Sequence, residues 1–197
     1  RIGSLEQYRE IYEQSIDDPA AFWQDQAQRL TWFHQGVNVA DADYEGVHFS
    51  WFQNWKLNAT YNCVDRHAET QPDKTAIIWA KDEAGDYEHI SYRQLQRRVS
   101  QMANVLKSQG VGKGDRVCIY MPMLPEAAYA MLACARIGAI HSVVFGGFSP
   151  ESLKDRILDS DCQTIITADE GLRGSKRIPL KQNVDQALMQ CPSVHSV

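Results

Sequence analysis

The spacing of apolar and polar residues divides the chain into two parts of different character. Up to about residue 60, short helical periodicities are followed by an aromatic-rich stretch that has no regular period. From residue 75 onward, short apolar runs alternate with amphipathic helical patterns. We therefore predict an N-terminal extension over residues 1–60, followed by an α/β domain over residues 61–197.

The extension is predicted to begin with two helices. The first follows helical spacing over residues 5–15, and the second, over residues 19–30, starts with an Asp18 cap and Pro19 at the first helical position. The stretch that follows contains several large aromatic residues, namely Tyr44, Phe49, Trp51, Phe52 and Trp55. Because so many rings need to be covered, we expect the extension to wrap onto the following domain or onto further parts of the protein.

The second part has the pattern of a parallel sheet with helices between the strands. The predicted strands cover residues 75–80, 117–121, 139–144 and 164–168, with residues 87–90 returning as a hairpin. The predicted helices cover residues 92–109, 125–136, 150–160 and 181–189, the first of them opened by a Ser91 capping box. Strands that are apolar throughout predict a sheet covered on both faces. On this interpretation His141 belongs to the core, and Leu158 faces inward together with Leu153 and Ile157.

Composition and charge narrow the class of protein. The chain has 197 residues and a formal net charge of −5, which argues against a surface that binds nucleic-acid phosphates. No run approaches the roughly 20 apolar residues that span a bilayer, and the N-terminus lacks a secretory-signal pattern. The five cysteines include no C-x-x-C pair, so we predict reduced structural thiols. We expect a cytoplasmic protein with neither nucleic-acid nor membrane partners.

Two loops follow predicted strands at the edge where ligands of parallel sheets collect. The first is the turn over residues 145–148, where Gly146 and Gly147 permit close approach of a flat ligand and Phe145 and Phe148 offer stacking faces. The alternative is a tight connection that needs glycine for its geometry alone. The residues of the turn do not by themselves decide between the two.

The second loop, over residues 171–177, is basic. Arg173, Lys176 and Arg177 are cations that can bind a phosphate group, and the backbone N–H groups around Gly174 and Ser175 can add an anion-binding concavity. The spacing does not match a Walker A loop. The alternative for this loop is an ordinary solvated basic surface.

Other polar residues give weaker signals. The trio Asp65, Arg66 and His67 is interpreted as a satisfied structural network rather than a proton carrier. No Ser-His-Asp order and no metal-ligand spacing stands out. We therefore assign neither a catalytic residue nor a metal ligand to the chain.

Several segments in order along the chain carry a resemblance to a known family. They are residues 18–23, 51–52, 57–58, 61–67, 138–148 and 167–171. Together they resemble the opening part of the acetyl-CoA synthetases, which belong to the adenylate-forming superfamily. The resemblance implies an enzyme that condenses acetate with ATP to an acetyl-adenylate, releases pyrophosphate and lets the CoA thiol attack the carbonyl.

The resemblance also implies a binding site. Arg173, Gly174, Ser175 and Lys176 match a short basic loop with which family members bind the 3′-phosphate ADP part of CoA. The turn Phe145–Gly147 and Ile178 would lie near the CoA adenine.

The chain departs from the family at two positions. Trp55 stands where the family usually has Gly, and Ser175 stands where it has a small Gly or Ala. The second change should be tolerated, because that position offers mainly its backbone.

In the family, the phosphate loop, the acetate pocket, the ribose-binding Asp and the catalytic Lys would all lie beyond Val197. The chain begins without Met and stops in a predicted strand over residues 193–197. We therefore expect a piece of a longer enzyme that uses ATP and Mg. The alternative is that the chain has disordered flanks. The rival functions are another short-chain acyl-CoA synthetase, such as one for propionate, and a non-catalytic module that binds a nucleotide or a partner.

Overall fold

The computed structural model describes residues 2–174 and 176–197. The chain divides into two compact units, Arg1–Asn58 and Ala59–Val197.

The first unit contains two helices and a small hairpin. Helix α1 spans Leu5–Asp17 and helix α2 spans Pro19–Ala27, and the side chains of Ser4 and Asp18 cap them. Both helices were predicted from the sequence. The antiparallel hairpin of β1 (Ala40–Asp43) and β2 (His48–Trp51) was missed, because its strands have four residues each and are largely exposed. Such strands show too little alternation to be recognised.

The aromatic residues of this unit pack largely on one another. The ring of Trp32 lies 4.9 Å from Trp55 and 5.3 Å from Phe52, and Trp23 meets Trp51 edge to face. Trp23 and Trp51 nevertheless remain 44% and 43% exposed. The rings therefore contact one another and still remain partly exposed.

The second unit begins with a π-helical turn, Tyr61–Asp65, that runs into the short helix α3, Arg66–Thr70. Strands β3 (Thr75–Ala80) and β4 (Tyr87–Ser91) form the predicted antiparallel hairpin. Helix α4 spans Tyr92–Ser108, and it begins with the predicted capping box, in which Ser91 and Gln94 bond each other's backbone N–H groups.

A parallel sheet of three strands follows, in the order β6-β5-β7. The strands are β5 (Arg116–Met121), β6 (Ile140–Phe145) and β7 (Thr164–Thr167). Helices α5 (Pro125–Ile137) and α6 (Pro150–Ser160) connect them. After β7 come the hairpin β8 (Gly171–Arg173) and β9 (Lys176–Ile178) and helix α7 (Leu180–Leu188). Ser196 then bridges Thr164 in parallel, beside β7.

The central strand β5 separates two cores. Val117 and Ile119 belong to the cluster formed with α4 and α5, whereas Cys118 and Tyr120 belong to the cluster formed with α6 and α7. The alternation of side chains along a strand explains this division. The predicted coverage of both faces is therefore confirmed for β5.

Two predictions of burial were wrong. His141 is exposed, because β6 lies at the edge of the sheet in the described chain and four of its six residues are exposed. An apolar run does not distinguish an edge strand from a central one. Leu158 is 48% exposed, because it follows Ile157 by one residue and so points about 100° away from the buried stripe of α6.

Candidate functional site

A pocket of about 280 Å³ lies at the carboxyl ends of β5 and β6. It is lined by Asp82, Met121, Pro122, Met123, Phe145, Gly146, Gly147, Gly171, Leu172, Gly174, Ile178 and Leu180. The pocket therefore brings together the aromatic turn and the basic loop, which the sequence had indicated separately. Its wall is mostly apolar, and glycines form a third of its lining residues.

Three of the four glycines that line the pocket are tightly packed. A Cβ atom at Gly146 would lie 3.1 Å from the Met121 carbonyl oxygen, and one at Gly171 would lie 3.2 Å from Pro122 Cβ. At Gly147 a Cβ atom would lie only 2.5 Å from a ring carbon of Phe145. Glycine is needed here for the packing of the connection, whatever the pocket binds. Gly147 is exposed, whereas Gly146 and Gly171 are buried.

The predicted loop over residues 171–177 is a β-hairpin, in which Arg173 lies in β8 and Lys176 and Arg177 lie in β9. Arg173 pairs directly with Lys176 across the ladder, and Gly174 adopts a φ of 59°. A positive φ at this position is typical of tight hairpin turns and favours glycine. Ser175 and the side chain of Arg173 lie outside the described part of the structure.

The cations of the hairpin differ in their surroundings. Arg177 forms an ion pair with Glu170, and both side chains are largely exposed. Lys176 is exposed and makes no ion pair with a carboxylate in the described part of the chain. A paired guanidinium offers less net charge to a ligand, so Lys176 is the better placed of these two residues to meet an anion.

The trio Asp65, Arg66 and His67 lies in a structural network, as expected. The carboxylate of Asp65 accepts hydrogen bonds from Arg136 on α5 at 2.7 Å and from Gln96 on α4 at 2.9 Å. The His67 ring packs against Tyr92. These contacts attach the start of the unit to α4 and α5.

The buried thiols are unsuited to nucleophilic chemistry. All five cysteines are free, and all except Cys63 are buried. Burial raises the pKa of the Cys118 thiol to about 12 and that of Cys134 to about 11. A protonated, enclosed thiol is a poor nucleophile. The prediction of reduced structural thiols is confirmed for the four buried ones.

Sequence reasoning missed a buried polar network beneath the pocket. The Tyr120 hydroxyl donates to the carbonyl oxygen of Phe148 at 2.7 Å and accepts from Asn183 Nδ2 at 3.1 Å. Thr167 Oγ1 donates to the Tyr120 carbonyl oxygen at 2.9 Å. A tyrosine in a strand predicted to be buried was the available signal, because a buried hydroxyl requires a partner.

Comparisons with known proteins agree with this fold. The family described as "AMP-binding enzyme" matches residues 64–196, and the chain belongs to that family. A second family, described as "Acetyl-coenzyme A synthetase N-terminus", matches residues 8–63. The resemblance noted in the sequence is therefore confirmed.

Similar proteins carry consistent names. The chain is 59% identical over 97% of its length to an acetyl-coenzyme A synthetase of Magnetococcus marinus, and 58% identical over 98% to acetyl-coenzyme A synthetase 2 of Pseudomonas putida. It spans 30% of the length of each of these relatives, at their N-terminal ends.

A solved structure shows the same fold. The acetoacetyl-CoA synthetase from Streptomyces lividans matches with a TM-score of 0.84 and 26% identity, over 93% of this chain and 28% of that one. The predicted α/β class and acyl-CoA synthetase fold are confirmed. No helix in the described part of the chain is long and apolar enough to cross a membrane.

Proposed function

We propose that the chain is the N-terminal portion of an acetate–CoA ligase, which makes acetyl-CoA from acetate, ATP and CoA through an acetyl-adenylate. Residues 1–60 form its N-terminal extension, and residues 61–197 form the first part of its AMP-binding domain. The names and the identity of the relatives support this proposal. The whole protein acts on small molecules in the cytoplasm.

Acetate is the acyl substrate that the comparisons favour. The sequence of the chain is 59% identical to a relative named acetyl-coenzyme A synthetase and 26% identical to a structure named acetoacetyl-CoA synthetase. A propionyl-CoA or other short-chain acyl-CoA synthetase is the alternative. The test is the specificity of the full-length enzyme, measured as kcat/KM for acetate, propionate and acetoacetate. A preference for propionate would overturn the choice of acetate.

The function proposed for this chain within the enzyme is to bind CoA. Arg173, Gly174, Ser175 and Lys176 bind the 3′-phosphate ADP part, and the adenine lies in the pocket against the turn Phe145–Gly147 and Ile178. The observation that carries the proposal is that one mostly apolar pocket is lined both by the turn Phe145–Gly147 and by the β8–β9 hairpin, whose strands carry Arg173 and Lys176. A purine nucleotide combines the same two features, a flat ring and a phosphate charge.

In this arrangement the role of the chain is to bind CoA. The CoA thiol attacks the acetyl-adenylate carbonyl at the far end of the molecule, while these residues bind and orient its nucleotide end. Groups that hold ATP and Mg and that carry the catalysis belong to the remainder of the enzyme. The proposed site therefore serves the second half-reaction only.

The test is Arg173→Ala in the full-length enzyme. Loss of a charge-assisted contact, worth roughly 1.5–3 kcal/mol, should raise the KM for CoA about tenfold or more. Lys176→Ala should act in the same direction but more weakly, because a hydrated ammonium is more easily replaced by solvent and salt. The KM values for ATP and acetate and the acetate-dependent pyrophosphate exchange should be unchanged.

Arg177→Ala is the matched control, because it removes a cation from the same hairpin that is already paired with Glu170. We expect a much smaller change in the KM for CoA. An unchanged CoA dependence in Arg173→Ala, or an equal loss in the exchange reaction, would assign this hairpin to ordinary basic surface. The 197-residue chain alone should show no acetate-dependent exchange; exchange above a no-enzyme control would contradict the proposed division of sites.

A further inference from the structure

Tyr120 places a buried hydroxyl between two segments of the chain that each contribute residues to the pocket wall. The residue lies on the central strand β5, is 0% exposed, and directly precedes Met121, which lines the pocket. Its hydroxyl donates to the Phe148 carbonyl oxygen at 2.7 Å and accepts from Asn183 Nδ2 at 3.1 Å. One hydroxyl thus bonds two segments that are distant along the chain.

The first segment is the turn over residues 145–148. It is closed by a backbone hydrogen bond of 3.0 Å from the Phe148 N–H to the Phe145 carbonyl oxygen. Its two inner residues, Gly146 and Gly147, line the pocket but have no side chains that could anchor the turn. The bond from Tyr120 to the last carbonyl group of the turn supplies an anchor from below.

The second segment is helix α7. Asn183 lies three residues after Leu180, whose side chain is buried and lines the pocket. Only Pro179 separates that helix from strand β9, so the position of α7 also sets the base of the basic hairpin. A shift of α7 would move one wall of the pocket and the hairpin together.

We infer that Tyr120 and Asn183 are positioning residues for the CoA site. The shared hydroxyl holds the turn over residues 145–148 and helix α7 at a set separation, so that the pocket is formed before the ligand arrives. A preformed site does not lose affinity to the ordering of its own walls. The inference rests on the proposed function, because it names residues that shape the same pocket without touching the ligand.

The experiment uses Tyr120→Phe in the full-length enzyme, which keeps the ring and removes the hydroxyl. The KM for CoA should rise about fivefold, because both hydrogen bonds of the hydroxyl are lost and the turn and helix α7 are no longer held at a set separation. The KM for ATP and the rate of acetate-dependent pyrophosphate exchange should be unchanged. Asn183→Leu should change the KM for CoA in the same direction. The double variant should be no worse than Tyr120→Phe alone, because both residues act through one hydroxyl.

Thr60→Val is the matched control. It removes another buried hydroxyl of the same unit, which donates to the Leu132 carbonyl oxygen at 2.6 Å and is not on the pocket wall. The control should leave the KM for CoA unchanged, whatever it does to the unfolding temperature. If Tyr120→Phe raises that KM no more than Thr60→Val, or slows exchange equally, the inference is overturned. If Tyr120→Phe does not fold, Asn183→Leu, at a half-buried position, takes its place in the test. Its KM for CoA is then compared with that of Thr60→Val in the same way.

Arg173→Ala separates this inference from the proposed function. A CoA defect in Arg173→Ala without one in Tyr120→Phe overturns the positioning role and leaves the proposed CoA site standing. If Arg173→Ala has no CoA defect, the proposed site fails, and the positioning role fails with it. Parallel CoA defects in Arg173→Ala, Tyr120→Phe and Asn183→Leu support both.

Discussion

The two units of the chain bury their apolar residues in different ways. In the second unit, β5 supplies alternate residues to two closed clusters, and helices α4 to α7 complete them. In the first unit, the buried apolar residues of the described chain are Ala27 and Val39, and the large rings lie partly exposed. The difference teaches that the second unit is stabilised by two apolar cores on either side of β5, whereas the first depends on ring contacts near the surface.

Separating the units should have the largest effect. Residues 59–197 alone should unfold cooperatively in urea, because both apolar clusters lie within them. Residues 1–58 alone should show no cooperative transition, because so few apolar residues are buried there. Far-UV circular dichroism follows both, and the fluorescence of Trp79, the one tryptophan beyond residue 58, reports on the larger piece. A sharp transition in residues 1–58 would contradict the comparison.

Truncating a leucine should have a smaller effect that depends on the unit. Leu153→Ala removes a fully buried side chain of α6 and should lower the free energy of unfolding by about 3 kcal/mol. Leu5→Ala on α1, where the side chain is 65% exposed, should cost well under about 1 kcal/mol. Urea denaturation of the whole chain measures both. Leu158→Ala is the control on the same helix as Leu153, and a cost equal to that of Leu153→Ala would show that burial does not explain the difference.

Removing a helix cap should have a small effect on stability that also differs between the units. Ser91→Ala breaks the capping box of α4, a helix that packs on the core, and should cost about 1 kcal/mol. Ser4→Ala removes the cap of α1, which has no buried residues. It should lower the free energy of unfolding by only a few tenths of the amount expected for Ser91→Ala. Thermal unfolding followed by circular dichroism compares the variants. Equal costs would mean that α1 is as firmly held as α4.

Thiol labelling tests whether the apolar clusters open in the native protein, without a change in its sequence. At pH 8, a disulfide reagent should modify the exposed Cys63 quickly. Cys118 should stay unmodified until the protein unfolds, because burial both blocks access and raises its pKa to about 12. The number of thiols titrated before and after adding urea gives the answer. Rapid labelling of more than one thiol in the native protein would show that the clusters open readily.

The sequence could predict the elements that have local signals. Asp18 with Pro19 marked the start of α2, and the Ser91 capping box marked the start of α4. The helix predicted over residues 125–136 ends at Gly138, whose φ of 79° is typical of a glycine after a helix. The hairpin of β1 and β2 had no such signal, because it is short, exposed and without an Asn-Gly type of turn. The two loops of the candidate site were recognised one by one, from their glycines, aromatic residues and cations.

What the sequence determined by itself was the order of helices and strands, the parallel character of the sheet and the family resemblance. The tertiary structure decided which apolar strand lies at the edge, and so left His141 exposed. It also decided that the turn over residues 145–148 and the β8–β9 hairpin line one pocket, and that the Tyr120 hydroxyl joins Phe148 to Asn183. The physical reason is that backbone preference and side-chain period act over a few residues, whereas strand order and buried hydrogen bonds depend on segments far apart in the chain.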